Sequence, residues 1–148
     1  MPKKIGEKRC TKKMYEKRYV KKDMWKKMCR KEKIMNKPYV TLEEVKKNQG
    51  ENTRGYKLLT EANGCVAGCC SGISIYNSTE FNYNAGAHGD QEGFFVLEGE
   101  GFAKLDDLVF PITQGDSFIA AAGVKHTIKT SDEYKPVKVF WFHSALNI

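Results

Sequence analysis

The fold is decided by two stretches, His88-Gly-Asp-Gln-Glu92-Gly-Phe-Phe-Val-Leu-Glu-Gly99 and Gly115-Asp-Ser-Phe-Ile-Ala-Ala-Ala-Gly123-Val-Lys-His126. Each contains a run of apolar and aromatic residues bounded by glycine, and each carries a histidine at one end. Successive side chains of a strand point to opposite faces, so Glu92, Phe94 and Val96 share one face. We therefore predict that Phe94 and Val96 line the interior of a β-structure, to which Phe118 or Ile119 also contributes.

Short β-rich runs surround these two stretches and recur about every ten residues, which is typical of an all-β sandwich or barrel. Asp106-Asp107, between two of the runs, predicts a hairpin turn. Near the start, Pro38–Leu42 is predicted as a strand and Glu43–Lys47 as a helical turn or loop. The remaining predicted strands are Tyr56–Leu59, Val66–Tyr76, Thr79–Tyr83, Gly93–Leu97, Gly101–Leu105, Leu108–Ile112, Ser117–Ala120, His126–Thr130 and Val137–Phe142.

The two stretches together resemble the two motifs of the cupin superfamily, whose members are small jelly-roll β-barrels. In that family the first motif is Gly, five residues, His-x-His, three or four residues, Glu, six residues, Gly. The second motif is Gly, five residues, Pro-x-Gly, two residues, His, three residues, Asn. Six positions agree at these offsets: His88, Glu92, Gly99, Gly115, Gly123 and His126. The resemblance spans about residues 38–148 and implies a double-stranded β-helix, the RmlC-like jelly roll of small single-domain cupins.

The positions at which the chain departs from the family motifs include the following three. The first histidine of the His-x-His pair is replaced by Gly86, the proline of the second motif by Ala121, and the terminal asparagine by Thr130. A lost histidine removes one imidazole from any metal site. Three nearby residues are candidates for a substitute oxygen ligand: Asn84, Asp90 and Gln91.

The family's usual metal ligands are three histidines and one glutamate, so the resemblance implies one divalent transition metal bound by His88, Glu92 and His126. Two imidazoles and a carboxylate bind Fe(II) with open positions, and the same set binds Zn²⁺. Mn²⁺ and Ni²⁺ are also compatible, so the sequence does not select the metal. The alternative is a metal-free pocket in which hydrogen bonds hold Glu92.

The third histidine of the chain, His143, ends an apolar run. Alternation places four of its residues on one face: Val137, Val139, Trp141 and His143. If that face is internal, His143 lies near the mouth of the barrel as an acid/base group or an additional ligand. The alternative is a structural histidine at a strand end, because most single histidines have no chemical role.

The net charge of +7 is unevenly distributed along the 148 residues. Residues 1–33 carry 15 Lys+Arg and 4 Asp+Glu, whereas residues 34–148 carry 10 and 14. We therefore divide the chain into a basic extension, 1–36, and a cupin barrel, 37–148. Apolar residues four apart are compatible with a helix over about 12–32. Such a segment either binds nucleic acid, an anionic surface or an acidic partner, or is a solvated extension.

Cysteine usage and hydropathy indicate a cytoplasmic protein. Cys65-x-x-x-Cys69-Cys70 fits no standard zinc pattern, so these residues are expected to be small buried thiols in a reducing compartment. No apolar run approaches the ~18–20 residues of a transmembrane helix, and no apolar segment of a signal peptide follows the basic N-terminus.

The favoured function is a metal-dependent cupin enzyme that acts on a small polar organic substrate. Dioxygenation, decarboxylation, isomerisation and lyase chemistry occur in similar small cupins, and the sequence does not distinguish among them. The alternatives are a non-enzymatic cupin that binds or senses a sugar or an acid in a metal-free pocket, and an interaction protein that uses the basic extension. A barrel of this size is also expected to form a homodimer, which covers its edges.

Overall fold

The computed structural model of the protein describes residues 37–145, which form one α-helix, one 3₁₀ turn and eight strands. The extension, with its expected helix and binding surface, lies outside the described residues. The elements are α1 (Leu42–Gln49), β1 (Gly55–Lys57), the 3₁₀ turn (Glu61–Asn63), β2 (Cys70–Tyr76), β3 (Glu92–Glu98), β4 (Glu100–Leu105), β5 (Leu108–Thr113), β6 (Ser117–Ala120), β7 (His126–Thr130) and β8 (Val137–His143).

The described strands form two antiparallel sheets. One sheet has the order β1-β2-β8-β3-β6 and the other has the order β5-β4-β7. The central strand β8 pairs with β2 on one side and with β3 on the other. This architecture confirms the predicted all-β jelly roll. Among residues 37–145, no helix is long and apolar enough to cross a membrane.

Alternate residues of the strands point inward and form the hydrophobic core. Phe94 and Val96 are 2% and 0% exposed, which confirms the inward face predicted for β3. Of the two candidates in β6, Phe118 stacks on Phe94 with ring centroids 4.7 Å apart, whereas Ile119 is half exposed. The other buried members of the core cluster are Val137 and Val139 of β8, with Ala103, Ile112, Ala120 and Ile128 from β4 to β7.

The hairpin predicted at Asp106-Asp107 is present. Leu105 and Leu108 pair directly across β4 and β5, so the connecting loop has two residues. Asp106 has φ of 50°, the left-handed conformation that two-residue hairpin loops need and that Asp tolerates.

The strand predicted over Pro38–Leu42 is wrong. The chain is irregular up to Thr41, which instead caps the N-terminus of α1. The Glu44 amide donates to Thr41 Oγ1 at 3.2 Å, and the Thr41 amide donates to Glu44 Oε2 at 3.1 Å. This capping box satisfies two amides that a helix leaves unpaired, and it outweighs the β-propensity of the preceding residues.

Two other predicted strands were also too long or misplaced. β2 begins only at Cys70, because Ala67 and Gly68 adopt left-handed φ values of 53° and 83° and form a turn. Thr79–Tyr83 is a loop, in which side-chain oxygens accept hydrogen bonds from backbone amides two residues later. The thiols of Cys65, Cys69 and Cys70 are free, as expected, but they are half-buried rather than buried.

Candidate metal centre

Four titratable side chains meet at one end of the barrel because of strand register. Glu92 is the first residue of β3 and His143 the last of β8, and the two lie directly opposite each other in the sheet. His126 is the first residue of β7, in the other sheet. His88 lies in the loop before β3, and its carbonyl accepts a hydrogen bond from the Gly123 amide at 2.8 Å. That bond joins the two sequence stretches that carry the motif histidines.

The structure brings together the three residues that the sequence predicts as ligands. Oε2 of Glu92 is 2.7 Å from His126 Nε2 and 3.0 Å from His88 Nε2. The ligand atoms of these three residues lie within 4.8 Å of one another. Glu92 is buried, and the two histidines are half-buried at the cavity wall.

In each of the two imidazoles, the other ring nitrogen, Nδ1, is hydrogen-bonded to an oxygen. His126 Nδ1 is 3.0 Å from the Val124 carbonyl oxygen. His88 Nδ1 is hydrogen-bonded to the Asp90 carbonyl oxygen at 3.1 Å and also lies 2.7 Å from Asp90 Oδ1. Since carbonyl and carboxylate oxygens only accept, both Nδ1 atoms must donate. In the neutral imidazole Nε2 then carries a lone pair, and both lone pairs face the Glu92 carboxylate. Such converging acceptors need a proton or a metal cation between them, so the residues fit a divalent metal.

The electrostatics of the site reflect this convergence. Burial raises the pKa of Glu92, but the hydrogen bonds of His126 and His88 outweigh it and bring the pKa below its ordinary value. The hydrogen bond to Glu92 raises the pKa of His126, against a smaller effect of burial.

His143 and Asp90 extend the site. His143 Nδ1 is 2.7 Å from Asp90 Oδ2, and His143 Nε2 is 3.5 Å from Glu92 Oε1. Burial raises the pKa of Asp90, but the hydrogen bond with His143 outweighs this effect and brings the pKa below its ordinary value. The carboxylate is therefore ionised. Asp90 was a candidate substitute ligand, and the structure places its carboxylate on the outer Nδ1 atoms of two histidines.

A cavity of about 800 Å³, within the usual size of small-molecule sites, is lined by the three histidines and Glu92. Arg54 is its only Lys or Arg among the described residues, and Gly86 forms part of the wall. Tyr76 also lines it, and burial together with the negative charge of Glu92 raises the pKa of Tyr76 to about 12. The tyrosine is therefore a neutral hydrogen-bond donor at physiological pH.

Comparison with known proteins identifies the fold family. The sequence model of the Cupin_2 family, described as the cupin domain, matches residues 81–143, from the loop before β3 to the end of β8. The barrel has the cupin fold. The family resemblance read from the two motifs is thus confirmed. A search of curated protein sequences found no match.

Solved structures of cupins superpose on the chain at low sequence identity. A cupin protein from Bacteroides fragilis is 16% identical with a TM-score of 0.56, over 75% of this chain and 87% of that chain. The cupin domain of Schizosaccharomyces pombe Cnp3 is 14% identical with a TM-score of 0.55, over 66% of each chain. FeII HppE is 19% identical with a TM-score of 0.50, over 61% of this chain and only 48% of that chain. These matches support the cupin fold alone.

Proposed function

We propose that the protein is a metal-dependent cupin enzyme whose ion is held by His88, Glu92 and His126. The observation that supports this most is the convergence of two Nε2 lone pairs on one carboxylate oxygen, with both Nδ1 atoms tied to acceptors. Iron is one candidate metal, because FeII HppE is an iron(II) protein with the same fold. Mn²⁺, Zn²⁺ and Ni²⁺ are equally compatible with the donors.

The chain's own residues define what the cavity can accept. A divalent ion bound there acts as a Lewis acid on a substrate oxygen, and iron also supports reactions with O₂. The Tyr76 hydroxyl supplies a hydrogen-bond donor, and Arg54 adds a positive charge. We infer a small polar organic substrate that carries an oxygen donor for the metal and a group for Arg54 to bind.

Metal analysis of the full chain, purified without a histidine tag, tests this proposal. We expect about one divalent transition metal per chain, and loss of that metal in His126→Gln. Lys125→Gln, at the neighbouring exposed position, is the matched control and should retain it. A folded protein that takes up no metal on titration would contradict the proposal and favour a metal-free sugar- or acid-binding cupin.

We also propose that the protein is a homodimer. The outer face of the five-stranded sheet exposes four large apolar side chains: Phe95, Leu97, Ile119 and Phe142. Contiguous apolar side chains of this kind mark association surfaces. Sedimentation analysis should give a dimer in the native protein and a monomer in Ile119→Lys. A native monomer at micromolar concentration would contradict the proposal.

A further inference from the structure

The three histidines of the cupin share one arrangement. In each, Nδ1 faces an oxygen acceptor: Val124 O at 3.0 Å for His126, Asp90 O at 3.1 Å for His88 and Asp90 Oδ2 at 2.7 Å for His143. In each, Nε2 is turned to the Glu92 carboxylate, at 2.7, 3.0 and 3.5 Å respectively. His143 is therefore prepared in the same way as the two motif histidines, although it belongs to neither motif.

The tautomer of His143 follows from its partner. The Asp90 carboxylate oxygen, 2.7 Å away, is an acceptor, so His143 Nδ1 donates to it and Nε2 is left as the nitrogen whose lone pair can bind a cation, facing Glu92 Oε1. Their separation of 3.5 Å is long for a hydrogen bond. It is close to the distance of about 3.4 Å between two atoms that each bind one ion at about 2.1 Å with tetrahedral angles.

We propose that His143 supplies the third imidazole to the metal, in place of the histidine that is missing at Gly86. This inference rests on the proposed metal site and completes a set of three histidines and one glutamate, with one histidine coming from the last strand. Asp90 then orients both imidazoles from outside, His143 through its carboxylate and His88 through its backbone carbonyl, which are common partners of metal-bound imidazoles.

Counting imidazoles around the metal tests the inference directly. In X-ray absorption of the full chain loaded with Zn²⁺, we expect three histidine ligands in the native protein and two in His143→Gln. Zn²⁺ affinity, measured against a competing chelator, should fall at least about tenfold in the variant. Ser144→Ala, at the neighbouring position, is the control and should leave both values unchanged.

Gly86 allows a rescue experiment. A side chain is tolerated there, because a Cβ atom built on Gly86 meets no other atom within 4 Å and the position lines the same cavity. In His143→Gln/Gly86→His, the third imidazole and most of the lost affinity should return. Recovery would show that the imidazole itself is what His143 provides, which a purely structural role of the residue does not predict.

The outcomes separate this inference from the proposed function. Two imidazoles in the native protein, or an unchanged count in His143→Gln, would overturn the inference while the metal site itself stands. That result would make His143 a positioning residue for Glu92. Absence of Zn²⁺ binding by the native chain would overturn both. The number of imidazoles bound to Zn²⁺ in the native protein tests the inference even if His143→Gln fails to fold.

Discussion

Strands β3 and β8 lie side by side, and their two ends carry opposite chemistry on the same internal face. At one end Glu92 faces His143, and both oxygens of the Glu92 carboxylate are close to imidazole nitrogens. Four residues further into the barrel, Val96 pairs with Val139, and neither valine is exposed. The alternation of the two strands continues unchanged between these ends.

The difference shows how the cupin separates stability from ligand binding. The valine end is complete without any added group, because its side chains satisfy one another by van der Waals contact. The glutamate end brings acceptors together and needs a cation. We therefore expect changes at one end to alter the free energy of unfolding and changes at the other to alter metal affinity.

The largest effect, a loss of affinity for a divalent metal, is expected from Glu92→Gln. Removing the carboxylate charge while keeping the shape should lower the affinity for a divalent metal by at least about 100-fold, since even outer partners of metal ligands are worth 10- to 100-fold. Glu98→Gln is the matched control, because Glu98 is on the same strand but exposed. Calorimetric titration of both variants with Zn²⁺ measures the contrast, and equal losses would contradict it.

Val139→Ala tests the other end. Deleting two buried methyl groups should lower the free energy of unfolding by about 2 kcal/mol, from lost transfer energy and the cavity that remains. Metal affinity should stay within about twofold of the native value. Urea unfolding in the presence of a chelator gives the first quantity and metal titration the second. A variant with native stability and impaired metal binding would refute the separation.

The pH dependence of the metal-free protein should come from the glutamate end. The raised pKa of His126 means that its charged form stabilises the fold below about pH 6.5, and this contribution is lost as the pH rises through the raised pKa. The lowered pKa of Glu92 makes its contribution present above about pH 4.3 and lost at lower pH.

Thermal unfolding with a chelator present should therefore show a stability maximum at about pH 5–6.5 and a decline toward pH 8. Val139→Ala should retain this profile at lower overall stability, whereas Glu92→Gln should flatten it. A metal-free native protein that gains stability from pH 6 to pH 8 would rule out the pairing of His126 with Glu92.

The smallest change in the free energy of unfolding is expected from a substitution on the outer face of β3 and β8. Lys138 Nζ donates to Glu98 Oε2 at 2.6 Å, and both side chains are more than a third exposed. Solvent and salt screen such pairs, so Lys138→Gln should change the free energy of unfolding by about 0.5 kcal/mol or less. Urea unfolding at low and high salt measures it. A loss as large as that of Val139→Ala would contradict this expectation.

Much of the fold was predictable because its signals are local. Period-two alternation located the inward faces of β3 and β8, and the Asp106-Asp107 pair located a hairpin. The errors arose where local polar chemistry overrode β-propensity. Thr41 began a helix through a capping box, and left-handed residues at Ala67 and Gly68 delayed β2.

Motif spacing was sufficient to predict three residues of the candidate site: His88, Glu92 and His126. The part that spacing could not give is the contact of His143 with Glu92, because it depends on the register of two strands about fifty residues apart in sequence. The bridging position of Asp90 is likewise tertiary, since it requires two histidines from different strands and loops to lie on one carboxylate.

The division of the ligands between sheets has a kinetic consequence. Glu92 lies in the five-stranded sheet and His126 in the three-stranded sheet, so an ion bound by both would cross-link the two layers. Parting of this end of the sandwich would then break bonds between the metal and its ligands, which couples the release rate to local opening. Amide exchange at the ends of β3 and β7 should therefore slow on metal loading, in proportion to the residence time of the ion.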